Sequence, residues 1–121
     1  MSINSYRDLL VWQAAIELAV GCYAATKIFP ASEIYGMASQ IRRSAASVAA
    51  NIAEGHGREH TGSFVQFLRI AQGSLKELET HVLLSTRVGL MPEVDSGRLL
   101  GQADEIGRML RSLVRSLQKK S

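Results

Sequence analysis

Apolar residues in this chain recur in alternating steps of three and four positions, and the pattern is written four times, interrupted each time by proline or glycine. That rhythm averages 3.5 residues and places an apolar stripe along one side of a helix, the seam spacing of a bundle. The second stretch shows it in Ile34, Met37 with Ala38, Ile41, Ala45, Val48 and Ile52. A half-buried strand would alternate every second residue. The pattern therefore predicts an all-α chain, an up-and-down antiparallel four-helix bundle, and leaves the chemistry open.

Punctuation sets the expected boundaries. Helix one is expected from about Tyr6 to Phe29, where Pro30 stops it, with the seam Leu9, Trp12, Ile16, Ala19, Tyr23 and Thr26. Helix two is expected from Ser32 to about Glu54, with Gly55 and Gly57 supplying left-handed backbone at its end. Residues 55–62 then form a glycine-rich loop, and Thr61 or Ser63 caps helix three, whose seam is Phe64, Leu68, Ala71, Leu75, Leu78, Val82 and Ser85, closing at Gly89. Helix four has Asp95 or Ser96 as its candidate cap and the seam Leu99, Ala103, Ile106, Leu110, Leu113 and Leu117. With 121 residues, the whole chain 1–121 reads as one domain. Matched lengths and short links favour antiparallel neighbours.

Composition narrows the function classes. Aromatic residues make up only 6% of the chain, which suits side chains interleaving between helices rather than a large ligand cavity. The lone Cys22 sits among apolar residues and has no internal disulfide partner. The longest apolar stretch, Leu18 to Thr26, is far short of the roughly 20 residues a bilayer span needs, so no membrane association is expected. The opening residues lack the order of charged and apolar segments found in a signal peptide, and a cytoplasmic location is expected. No cofactor, metal or catalytic site is expected. His56 and His60 are four apart but span the loop without a further clustered ligand, and the glycines around them lack phosphate-loop spacing. His81 reads as a hydrogen-bonded residue between helices, and Asn51 and Glu54 as anchors for the loop, Glu54 also as a partner for Arg58.

Two features of the surface point to partners. Helix one carries a second apolar stripe at Val11, Leu18 and Ala25, with Leu10 and Ile28 beside it, and helix three adds Ile70, Leu83 and Leu84 off its seam. Surplus apolar surface of this kind marks an interface, and a homo-oligomer is expected. Charge is uneven as well: residues 108–121 hold five basic side chains and no acidic one, in a chain of net charge +3. Arg108, Arg111 and Arg115 share one outward face of helix four, extended by Lys119 and Lys120, and their guanidinium forks suit phosphate. Arg42 and Arg43, followed by Arg58, form a second basic cluster, in which Arg43 is expected to point to solvent and Arg42 to flank the seam and pair with a carboxylate such as Glu77 or Glu79.

The string Gln40-Ile41-Arg42-Arg43-Ser44-Ala45-Ala46-Ser47-Val48-Ala49-Ala50-Asn51-Ile52-Ala53-Glu54-Gly55-His56-Gly57-Arg58 resembles the centre of the four-helix-bundle proteins encoded within intervening sequences of bacterial 23S ribosomal RNA. Val11-Trp12-Gln13, Phe29-Pro30 with Glu33-Ile34-Tyr35-Gly36, Phe67-Leu68 with Ala71-Gln72-Gly73-Ser74, and Glu77-Leu78-Glu79 follow in the order that family shows. That family is in turn similar to the accessory bundle protein of diversity-generating retroelements, which forms a five-membered ring and engages reverse transcriptase and nucleic acid. The resemblance implies a left-handed bundle in a ring-shaped homopentamer with a nucleic-acid role, and implies no catalysis. Two readings stay open: binding of RNA or DNA backbone through the outward arginines, and a scaffold that presents helices to a partner protein. An enzyme stands third.

Overall fold

The computed structural model describes residues 5–120. These form four α-helices, α1 (Leu10–Thr26), α2 (Met37–Gly57), α3 (Thr61–Arg87) and α4 (Glu93–Lys120), with single 3-10 turns at Tyr6–Asp8 and Ala31–Glu33. Each helix packs against its neighbours in the chain and α1 closes onto α4, so α2 and α4 form one diagonal of the bundle. None of the described helices is long and apolar enough to cross a membrane.

The core follows the three-four rhythm. On α2 it is Ala38, Ile41, Ala45, Val48 and Ile52, and on α3 it is Leu68, Ala71, Leu75, Leu78, Val82 and Ser85. On α4 Leu99, Ala103, Ile106 and Leu110 are buried; then Val114 takes the next inward position, while Leu113 and Leu117 are half-buried. A straight helix drifts against a 3.5-residue repeat, and the four-residue step from Leu110 to Val114 absorbs that drift.

On α1 the two stripes exchange roles relative to the sequence expectation, except at Thr26, which is buried as expected. Val11, Ala15, Leu18, Cys22 and Ala25 are the inward residues, while Tyr23 is 48% exposed and Trp12, Ile16 and Ala19 are half-buried. The small side chains of Ala15, Cys22 and Ala25 let α1 approach its neighbours closely. Trp12 and Tyr23, whose rings carry a polar handle, lie at the flank, Trp12 meeting Tyr6 edge-on at 5.1 Å. Val11, Leu18 and Ala25 thus belong to the subunit's own core and are not available for self-association.

Helix boundaries differ for local reasons. Leu9 is extended (φ −73°, ψ 124°), which separates the first 3-10 turn from α1. α1 ends three residues before Phe29, in a turn where the Phe29 N–H reaches the Thr26 carbonyl at 3.1 Å. α2 begins at Met37 rather than Ser32, because Gly36 departs from helical backbone and the Glu33 carboxylate accepts from the Met37 N–H at 3.0 Å. Its start leaves Ile34 52% exposed, outside the seam. Neither Gly55 nor Gly57 takes left-handed backbone: α2 runs through Gly55 and has Gly57 as its last residue. A Cβ on Gly55 would lie 2.6 Å from Phe67 Cβ, so this glycine is a contact point between α2 and α3. The left-handed turn residue is Glu59 (φ 58°), and His60 caps α3 by accepting from the Ser63 N–H through Nδ1 at 3.3 Å. α4 starts at Glu93 behind Pro92, whose carbonyl accepts from Asp95 and Ser96, so both expected caps lie within its first turn.

Candidate nucleic-acid interface

The basic residues fall into groups set by the helix that carries them. Arg43 is exposed on α2 with a 3.4 Å bond to Gln40, and Arg58 follows the end of α2 with its guanidinium over the Phe67 ring at 5.0 Å. Because α2 and α4 lie on a diagonal, the structure does not bring Arg43 together with the α4 arginines. Arg42 is turned toward α1: its Nε donates to Thr26 Oγ1 at 2.9 Å and its guanidinium covers the Tyr23 ring at 4.9 Å. The expected partners are engaged elsewhere, Glu79 with Lys76 at 3.2 Å and Glu77 3.7 Å from His81.

On α4, Arg108, Arg111, Arg115, Lys119 and Lys120 are all exposed. Arg108 is the neutralised member, 2.7 Å from Asp104 and 3.8 Å from Glu105 on the preceding turn. Arg111 and Arg115 point the other way, toward α3, where they border a cleft of about 290 Å³ together with Arg69, Gln72 and Val114. Arg69 was not singled out by sequence reasoning. The signal was present in the run from His60 to Lys76, which holds no acidic residue, just as none follows Glu105.

Elsewhere polar groups serve packing. Asn51 Nδ2 donates to the Ser47 carbonyl at 2.8 Å and to Ser47 Oγ at 3.0 Å, and Ser47 Oγ meets Ser74 Oγ at 2.8 Å across the α2–α3 contact. The Ser47–Ser74 pair therefore ties the two helices together, and Asn51, bonded within α2, supports Ser47 instead of anchoring the loop. Among the described residues no ion pair joins Glu54 to Arg58. His81 Nε2 and Ser85 Oγ, one turn apart on α3, are buried without a hydrogen-bond partner among the described residues, so His81 is not the bonded interhelical group its position suggested. His56 packs edge-on against Phe64 at 5.8 Å. Burial pushes the Cys22 thiol up to about 12, which keeps it protonated and unreactive at neutral pH.

Apolar surface remains outside the core. Leu10 and Ile28 are 71% and 65% exposed, and Ile70, Leu83 and Leu84 are about half exposed. The outer face of α1 forms a shallow depression of about 340 Å³ floored by Ile16, Ala19, Val20 and Tyr23. A larger groove of about 730 Å³ runs between the start of α1 and the second half of α4, lined chiefly by Leu9, Leu10, Val11, Met109 and Leu113.

Among solved structures, a protein of unknown function from the S23 ribosomal protein family of Bacteroides thetaiotaomicron shares the fold with a TM-score of 0.77. At 24% identity the likeness covers 87% of this chain and 98% of that one. No curated protein matches the chain. The sequence profile of the 23S rRNA-intervening sequence proteins matches residues 7–112, from the first turn to Ser112 in α4, and the chain belongs to that family.

Proposed function

We propose that this protein is a non-enzymatic, cytoplasmic, ring-forming bundle that binds the backbone of RNA or DNA through the basic outer face of α4. The observation that carries this reading is that Arg111 and Arg115 have no ion pair among the described residues and are prolonged by Lys119 and Lys120 in a segment without Asp or Glu. Arginine forks match phosphate oxygens in pairs, and such contacts release counterions, which makes binding depend steeply on salt. Self-association supports the same reading: the outer face of α1 offers apolar surface for a second copy, and a ring repeats the basic ridge around one axis. Five subunits are the expected number.

The test is a titration of a labelled RNA hairpin with the protein and with the R111Q/R115Q variant at increasing salt. The reading predicts a wild-type affinity that drops at least about tenfold between 50 and 200 mM salt, and a variant that binds weakly with a flatter salt response. Equal binding by both proteins would contradict it. The exposed face of α1 also favours a second reading, a scaffold that docks a partner protein without touching nucleic acid.

A further inference from the structure

Arg69 on α3 and Arg111 and Arg115 on α4 border one cleft, and its remaining lining is a carboxamide, Gln72, and a methyl-bearing floor, Val114. The two acid-free stretches of the chain face each other here. Among the described residues none of the three arginines has an ion pair or a hydrogen bond. Elsewhere on the same helix the rule is the opposite: Arg98 holds Asp95 at 3.2 Å and Arg108 holds Asp104 at 2.7 Å. Three cations gathered from two helices without a counterion repel one another, and an arriving anion relieves that repulsion.

We propose that this cleft is a phosphate site in which Arg69, Arg111 and Arg115 grip the phosphodiester backbone of a nucleic acid, with Gln72 donating a further hydrogen bond. The proposal rests on the nucleic-acid reading above; it centres that reading on the α3–α4 cleft and removes Arg108 from it. The cleft is a shallow trough open to solvent rather than an enclosing pocket, whereas small-ligand sites bury most of their ligand. Arg111, Arg115 and Lys119 follow one another at single-turn intervals, about 6 Å along the axis, which forms a ladder for successive phosphates. Lys119 thereby extends the site toward the end of α4.

Fluorescence anisotropy with a labelled RNA hairpin and a DNA duplex of equal length, each at several salt concentrations, tests the proposal. Arg69 and Arg108 are both exposed, so R69Q and R108Q keep the core intact, which circular dichroism verifies. R69Q is expected to weaken binding about tenfold and to lower the log–log salt slope by about 1, while R108Q stays within about twofold of wild type. If R69Q matches wild type although R111Q/R115Q loses binding, the cleft is overturned and the broader reading stands. A wild-type protein that retains neither polymer at about 50 mM salt overturns both. Inorganic phosphate added at fixed ionic strength, followed through the arginine Nε–H signals by NMR, separates the polymer from a free phosphate. A weak, millimolar response at Arg69 fits the proposal; saturation at micromolar phosphate without retention of either polymer overturns it in favour of a small phosphorylated ligand.

Discussion

Gly55 sits where a methyl group has no room, because a Cβ there would meet Phe67 Cβ at 2.6 Å and Phe64 Cδ1 at 3.1 Å. Four residues later Glu59 holds left-handed backbone that favours glycine. The chain thus places glycine for packing and tolerates strain in the turn. Gly55→Ala is expected to destabilise the bundle by about 1–3 kcal/mol, as overpacking of a tight contact does. Glu59→Gly is expected to stabilise it by about 0.5–1 kcal/mol, the relief of left-handed strain less the added freedom of glycine in the unfolded chain. Urea unfolding midpoints check both signs. Glycine in a sequence signals either conformational freedom or close approach, and residues 55–62 do not distinguish them. For that reason the turn was legible in its place and not in its geometry.

At the scale of elements, most inward residues of α2, α3 and α4 were legible from spacing, with Ile34 falling outside the seam and Val114 replacing Leu113 and Leu117 where α4 drifts. α1 presents two stripes, and amphipathicity cannot rank them. The inward stripe carries Ala15, Cys22 and Ala25 with Val11 and Leu18, while the aromatic Trp12 and Tyr23 lie at the flank. The exchange makes a sharp prediction. Leu18→Ala, at a fully buried position, is expected to cost about 2–5 kcal/mol of stability. Val94→Ala, at a position 77% exposed in the first turn of α4, is expected to change it by less than about 0.5 kcal/mol. Thermal or urea unfolding of the two variants under identical conditions reads the difference; similar costs would contradict the inward placement of Leu18. The same logic explains why the arginine cleft was half legible. Arg111 and Arg115 share a helix and could be grouped by their spacing, but Arg69 joins them only across the antiparallel packing of α3 on α4.

At the scale of the whole molecule, the outward face of α1 and the basic ridge of α4 belong to one account. In the proposed ring the first is the surface through which copies meet, the second a charge that gains strength by repetition. A single bundle of 13.2 kDa carries a net charge of only +3, whereas a ring multiplies both the cleft and the terminal lysines around its axis. Multi-angle light scattering on a sizing column, at micromolar protein, tests this claim most directly. The account predicts a mass that is a multiple of 13.2 kDa, with about five copies, and a shift toward the single-chain mass in a Val20→Glu variant of unchanged helicity. A wild-type mass of one chain would contradict it.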